Sequence, residues 1–488
     1  MGDRLEHTAS QLNRLGDLVA DFVAQYLSDL EELDVSPASI TPEEVQKSLS
    51  EPLPLEAQEL DEVWSDFQDS VVDQSVRVGH PQFLAWIRTS PLGGAVFAEA
   101  LAAALNQSVA VWDGAPAATE VEKMVIQWLI EISGYDPQGG GILTSGGSMA
   151  NFTGLLAALS SVFPRVREQG VRDGPPLAVY LTSQTHYSVH KAVEMMGVGR
   201  KAIRTVPVDD DLRMDAEALA ARIRGDRQKG TQPLAVVATL GTTSTGSCDD
   251  LLSLGRVCRE EKVWLHVDGA YGGVAGLIPG KRHLVRGLSE ADSFVLDPHK
   301  NLFMPFEAGC LLVRDLDHLR SAFAVRTDYL PNTEGGLIRE QSLRHHFRDY
   351  GPQLSRGFRA LKIYLTLKLY GLNDIAKEIA REYDLAEKFA GMIHRAEDFE
   401  TLADVALGVV AFRYLPRDTM DRERVNAFNA EMVEELQRRG KVFLSKIVVQ
   451  GQVGFRACFV SHRTRSSHLQ GVLDEVREVA RVVQGMGE

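Results

Sequence analysis

Between Pro81 and Arg314 the chain alternates short, continuously apolar runs with longer amphipathic ones, and this restricts its fold more than any other feature. The runs Leu177–Leu181, 234–239, 263–267 and Ser293–Leu296 lack the polar alternation of a half-exposed strand, as expected of strands buried on both faces. Stretches of helical spacing at 95–105, 120–132 and 152–162 lie among them. Such alternation implies an α/β architecture, a largely parallel sheet covered by helices on both faces. Ligands of these sheets bind beyond the carboxyl ends of the strands. The residues that follow each run are therefore the ones to read for chemistry.

The rest of the chain extends this body at both ends. Residues 11–30 place Leu12, Leu15, Leu18, Val19, Phe22, Val23 and Tyr26 at the spacing of an amphipathic helix. A proline-rich connector over 31–55 leads to a second helix near 56–70. These segments are too short for a core of their own, so residues 1–78 are expected to form a helical arm packed on the body or on a second subunit. Residues 79–365 are expected to form the large domain. Residues 366–488 are expected to form a small α+β domain, reached through an amphipathic stretch over 354–395, with strands at 408–414, 441–444 and 454–460.

The net charge of −15, with no basic stripe, argues against a nucleic-acid partner. No apolar run approaches the ~18 residues of a membrane span, and the interleaved first 28 residues do not read as a signal peptide. Cys248, Cys258, Cys310 and Cys458 form no C-x-x-C pair. Buried free thiols in a reducing cytoplasm are expected, without a disulfide framework or a metal site.

The run 263–267 ends in Asp268, followed by Gly269, Ala270 and Tyr271. The run 293–296 ends in Asp297-Pro298-His299-Lys300, between a proline-fixed turn and the apolar Leu302, Phe303 and Met304. Upstream, the glycine- and serine-rich stretch 139–148 leads into a helix expected near Ala150. A turn of this kind presents free N–H groups and the positive end of the helix dipole to an anion. Its spacing matches neither a dinucleotide fingerprint nor a P-loop, so a phosphate monoester is the better fit. The run 177–181 leads to His186, and 234–239 to Thr242 and Thr243. Read singly, Asp268 is equally a helix cap, Lys300 a solvated loop charge, His186 a satisfied loop residue and the glycine stretch a tight turn. Jointly they supply an amine for an aldehyde, a carboxylate for a pyridine nitrogen and a cradle for a phosphate, the set that pyridoxal 5'-phosphate requires.

With these residues in place, the sequence resembles the group II pyridoxal-phosphate-dependent decarboxylases of fold type I. The likeness runs from about Gln11 to the C-terminus. It is densest from Gly79-His80-Pro81 to Lys300, through Ala115-Pro116-Ala117-Ala118-Thr119-Glu120, residues 146–151, residues 238–243 and His266-Val267-Asp268-Gly269-Ala270-Tyr271. The resemblance implies a mostly parallel seven-stranded sheet and a homodimer with shared sites. It also implies that Lys300 carries the cofactor as a Schiff base, Asp268 pairs with the pyridine nitrogen, Ala270 packs beneath the ring and His186 stacks on its face. Gly147 and Ser148 would hold the phosphate, with His299 beside it and Thr243 nearby.

Residues 327–340 are similar to a mobile lid, with Tyr329 at the place of a catalytic tyrosine that returns a proton to the substrate. Aldehyde-forming relatives have phenylalanine there. The implied reaction converts an L-amino acid, with an aromatic or imidazole side chain, to its amine and carbon dioxide. Ser355, where indole-preferring members tend to have glycine, points the same way. Trp86 and Thr89 are further candidate substrate contacts. Arg88 and Asn301 depart from the aromatic decarboxylases. Arg88 reads either as a contact for an acidic substrate or as a solvated side chain, and Arg356 and Arg359 as structural or carboxylate contacts. An aldehyde synthase, an aminotransferase, a carbon–carbon lyase and the decarboxylation of an acidic amino acid are the alternative readings on the same fold.

Overall fold

The computed structural model describes residues 5–37, 41–324, 345–416 and 421–486. Tyr329 and the lid segment 327–340 lie outside the described residues.

The alternating region folds into a seven-stranded sheet of β1 (Gly140–Thr144), β2 (Leu177–Leu181), β3 (Ile203–Thr205), β4 (Gln232–Thr239), β5 (Trp264–Asp268), β6 (Ser293–Leu296) and β7 (Gly309–Val313). Their order across the sheet is β1-β7-β6-β5-β4-β2-β3. Neighbouring strands from β3 to β6 are parallel, and β7 runs antiparallel to both β6 and β1. Every residue of β1, β2, β5, β6 and β7 is buried, which explains their unbroken apolar character. The register sets Thr239 opposite Asp268, and Asp268 opposite Val295, so the strand ends that carry the polar residues finish level with one another.

The stretch 139–148 differs from its reading as one anion-binding turn. Its first half is β1, and the helix Gly147–Val162 begins before Ala150. Gly140 and Gly141 serve packing rather than phosphate: a Cβ on Gly141 would lie 2.2 Å from the Leu311 carbonyl oxygen.

A second, antiparallel sheet has the order β10-β11-β9-β8, made by β8 (Phe399–Thr401), β9 (Val409–Tyr414), β10 (Ser445–Val449) and β11 (Gln452–Cys458). Phe389, Phe412, Phe455 and Phe459 fill its core. The expected strand 441–444 lies one step early. Phe443 instead bridges to Phe83, and its carbonyl accepts the Leu84 N–H at 2.9 Å. The Cys458 N–H donates to the Leu84 carbonyl at 2.7 Å, so residues 83–85 are stitched to the second sheet and deliver Trp86 to Arg88 toward the first. The amphipathic stretch after Leu354 becomes two helices, Ala360–Tyr370 and Leu372–Arg395, broken at Gly371, where φ is +72°.

At the N-terminus the helix Ala9–Asp29 is closed by a capping box between Thr8 and Gln11 and has no buried residue. Phe22 packs edge-on against Trp64 and Phe67. The helix Gly93–Leu105 is apolar nearly all round, yet it buries only Ala95 and Ala98 and leaves Phe97, Leu101 and Leu105 exposed.

Arg356 and Glu122 form a fully buried ion pair at 2.5 Å. The guanidinium also donates to the carbonyls of Val109 and Leu143, and Glu122 accepts the Leu143 N–H at 3.1 Å. Arg356 thus has a structural role, pinning the helix Pro116–Ser133 to β1 and to the segment before Ala360. Arg356→Met would strand the Glu122 carboxylate and is expected to cost about 3–5 kcal/mol. The shift in urea midpoint measures it, and a loss below about 1 kcal/mol would show that the pair is not what pins these segments.

Candidate active site

The carboxyl ends of β4, β5 and β6 and the turns after β1 and β2 enclose a cavity of about 710 Å³. The turn after β6 supplies its floor. The Lys300 ammonium lies 3.3 Å from Asp297 Oδ2, and His299 Nε2 approaches the same oxygen at 3.4 Å. His299 Nδ1 accepts the Ala308 N–H at 3.1 Å, which leaves the ring proton on Nε2, facing the carboxylate. Burial pushes the Asp297 carboxyl up, but the Lys300 charge and the His299 contact outweigh it and hold the group below its ordinary value. Asp297 is therefore ionised, and Lys300 has a buried counter-charge.

A hydrogen-bond relay crosses beneath the cavity. Burial holds His266 at about 4, so its ring is neutral and carries one proton. Trp264 Nε1 donates to Ser293 Oγ at 2.8 Å, and that hydroxyl donates to His266 Nδ1 at 2.7 Å. His266 Nε2 then donates to Asn151 Oδ1 at 2.8 Å. The Asn151 amide donates to Asp268 Oδ2 at 2.9 Å and to Ser188 Oγ at 3.0 Å. Ser188 finally donates to His186 Nδ1 at 2.8 Å through its hydroxyl, and its N–H bonds the same nitrogen. With Nδ1 accepting, and with burial lowering the ring's affinity for a second proton, His186 is neutral and keeps its proton on Nε2.

At the opposite wall the helix Gly147–Val162 starts with the N–H groups of Gly147 and Ser148 uncommitted among the described residues. Gly146 turns with φ +143°, where a side chain would be strained and its Cβ would lie 3.1 Å from the His299 ring. A Cβ on Gly147 would come within 2.9 Å of Asp297 Oδ2 and 3.2 Å of the Ala270 methyl group. Bare backbone and a helix N-terminus thus face the same space as Lys300.

Residues 42–415 match the family model of the pyridoxal-dependent decarboxylase conserved domain. The chain belongs to the pyridoxal-dependent decarboxylase family. It is 32% identical to an aromatic-L-amino-acid decarboxylase of Bacillus atrophaeus, over 99% of this chain and 98% of that protein. It is also 27% identical to a phenylacetaldehyde synthase of Arabidopsis thaliana, over 97% and 96% of the two chains. The crystal structure of Oryza sativa TDC with PLP and tryptamine superposes with a TM-score of 0.92 at 26% identity, covering 99% of each chain. Fold type I, pyridoxal phosphate as cofactor and membership of the carboxy-lyases follow from this family.

The cavity fits that cofactor. Gly147 and Ser148 offer N–H groups to a phosphate, and Asp268 faces the interior with its carboxylate oriented by Asn151. Thr239 Oγ1 and Asp297 Oδ1 are buried polar atoms at the cavity wall with no hydrogen-bond partner among the described residues. Each is free to bond a polar guest.

Of the residues singled out in the sequence, Lys300, His186, Asp268, Gly147, Ser148, Thr243, Ala270, His299 and Trp86 all line this cavity. Arg88 lines it too, stacked over Trp86. The structure does not bring Thr89 or Ser355 to its wall: Thr89 is buried and donates to the Ser90 carbonyl, and Ser355 is exposed. Thr242 bonds Thr245 and Ser247 instead, Arg359 pairs with Glu307, and Asn301 donates to the Tyr383 hydroxyl. Sequence reasoning assigned no role to Asp297, Thr239, Asn151 or Arg456. Arg456 left a signal, since a cation inside the apolar run of β11 needs a buried purpose. Its guanidinium donates to the carbonyls of Ala85 and Thr243 and lines the cavity.

A pH dependence follows from the buried rings. His266, His80, His345 and His462 drop from 6.5 to about 4 on burial, so the unfolded chain binds more protons than the native one between those values. The sign is that of a depressed folded value: stability is full above about 6.5 and falls as pH drops towards 4. Urea midpoints measured across that window are expected to decline, and His266→Gln should flatten part of the slope. An unchanged slope would mean that His266 does not stay neutral.

Proposed function

We propose that this chain removes the α-carboxyl group of an aromatic L-amino acid as carbon dioxide and releases the amine, acting as a homodimer in a reducing, cytoplasmic setting. The observation that carries this reading is one cavity in which Lys300, Asp268 and His186 lie beneath a mouth of aromatic side chains, Trp86, Tyr187 and Phe306. The likeness to an aromatic-L-amino-acid decarboxylase supports the same substrate class.

In this reading Lys300 would hold the cofactor, Asp268 would pair with its ring nitrogen, and Ala270 and His186 would pack against the ring. Gly147 and Ser148 would bind the phosphate through their N–H groups, with His299 and Thr243 beside it. When bound, pyridoxal phosphate supplies the electron sink for the pair left behind as the carbon–carboxylate bond breaks. Asp297 sets a buried carboxylate 3.3 Å from Lys300 Nζ and so fixes the position of the amine. Asn151 fixes the Asp268 carboxylate, and Arg456, which donates to the carbonyls of Ala85 and Thr243, orients the α-carboxylate of the substrate. A proton returns to the α-carbon from His186 Nε2 or from Tyr329, the latter argued from sequence alone. Trp86 and Phe306 shield the reacting carbon from water.

Aldehyde formation is the second reading, favoured by the likeness to phenylacetaldehyde synthase. Tyrosine rather than phenylalanine at 329 speaks for the amine. Incubating the holoenzyme with phenylalanine, tyrosine, tryptophan and histidine is expected to yield equal amounts of amine and carbon dioxide. A 2-oxo acid, or an aldehyde with ammonia, would overturn the reading. Lys300→Ala is expected to abolish both amine release and the visible absorbance of bound cofactor, and Asp268→Asn to lower kcat by about 10²–10³-fold.

The exposed apolar face of the helix Gly93–Leu105 supports the homodimer, because a helix apolar all round belongs in an interior. Paired Leu101→Glu and Leu105→Glu changes are expected to give monomers in sedimentation, and a variant that still sediments as a dimer would remove that face from the interface.

A further inference from the structure

Arg88 is placed as though to read the substrate. The stitched segment 83–85 leads into Trp86, and the Arg88 N–H donates to the Trp86 carbonyl at 2.8 Å, folding the arginine back over the indole. Its guanidinium carbon lies 5.0 Å from the Trp86 ring centroid and 5.5 Å from that of Phe306. Both rings line the cavity and stay 39% and 56% exposed. The Phe306 ring also lies 4.6 Å from His299, which connects this platform to the floor that holds Lys300.

Aromatic faces attract a guanidinium through its flat surface, and contacts of that kind leave its edge N–H donors uncommitted. Among the described residues the Arg88 guanidinium has no ion pair and no hydrogen bond. The acid beside it in the cavity wall, Glu307, is engaged by Arg359 at 2.7 and 3.2 Å. Of the other cations that line the cavity, Lys300 is paired with Asp297, and Arg456 is held in place by three hydrogen bonds to neutral carbonyls, which leave its charge for the α-carboxylate. Arg88 therefore brings a charge and open donors to the mouth, with its stacking surface already used.

We propose that Arg88 is a specificity-determining residue that recognises a hydrogen-bond acceptor at the far end of an aromatic side chain, a ring hydroxyl or a ring carboxylate. The inference rests on the decarboxylation reading above. With the reacting carbon near Lys300 on the floor and the α-carboxylate on Arg456, the side chain extends toward Trp86 and Phe306. An acceptor at its tip meets the Arg88 donors, and a carboxylate gains the charge interaction as well. A bare ring meets only the hydrophobic part of the mouth.

The test compares kcat/KM of the holoenzyme for phenylalanine, tyrosine and 4-carboxyphenylalanine, in the parent chain and in Arg88→Met. A hydrogen bond to a charged donor predicts a preference of about tenfold or more over phenylalanine for at least one acceptor-bearing substrate. Arg88→Met is expected to reduce that preference to about twofold or less; the substrate whose ratio collapses distinguishes hydroxyl from carboxylate. Equal rates for the three substrates in the parent, or a preference that survives Arg88→Met, would overturn the proposal. Calorimetric affinities of the α-methyl analogues of the same three amino acids provide a second readout on the same two proteins. If no carbon dioxide appears from any substrate, the decarboxylation reading fails, and the affinity ratios still decide whether Arg88 reads the acceptor.

Discussion

A carboxylate cannot be buried at a strand end without compensation, and the compensation for Asp297 organises the floor of the site. Burial alone would drive that group to its neutral form, and only close positive or donor partners reverse this. Lys300 and His299 come from the same turn, so one short stretch of chain carries both the burden and its relief. The approach of Gly147 to Asp297 then leaves no room for a side chain at the start of the neighbouring helix. Gly309 extends the same logic, because a Cβ there would lie 2.4 Å from the Gly146 Cα. The bare backbone that faces the cavity is a packing consequence of the charge beneath it as well as a binding surface.

Much of this was legible in the sequence because the site draws on strand ends. Apolar runs mark the strands, and Asp268, His186 and Lys300 each stand within a few residues of one. The glycines of β1 were less readable, since glycine in a turn and glycine under a crossing strand look alike without the partner strand. Thr239 escaped because it is the last residue of an apolar run and counted as strand. Asn151 lies inside a helix, where an amide ordinarily reads as surface. Its role depends on His266 and Asp268, which only the sheet register brings beneath it. Arg456 belongs to the second sheet, so no reading limited to the alternating region could attach it to the cavity. Thr89 and Ser355 were named on the family resemblance alone, and neither lines the cavity.

The segment before Trp86 is anchored on the second sheet through one carbonyl. Ala85 accepts Ser445 Oγ at 2.6 Å and two N–H groups of Arg456 at 3.2 and 2.8 Å. Its neighbours Leu84 and Trp86 respectively bond the second sheet and line the cavity. A shift of the small sheet relative to the large one would therefore move Trp86, Arg88 and Arg456 together. Cavity-lining groups from distant parts of the chain thus share the Ala85 carbonyl as an anchor.

The relay from Trp264 to His186 also has a direction. Two fixed donors set it: the Asn151 amide, which Asp268 obliges to donate and so leaves its oxygen facing His266, and the Ser188 N–H, which makes His186 Nδ1 an acceptor and leaves the ring proton on Nε2. Residues along that line are not interchangeable with isosteres that reverse donor and acceptor. A substitution at Ser293 or Asn151 is tolerable only when its partners turn with it. The line thus acts as a single heritable character, one whose members must change together or stay as they are.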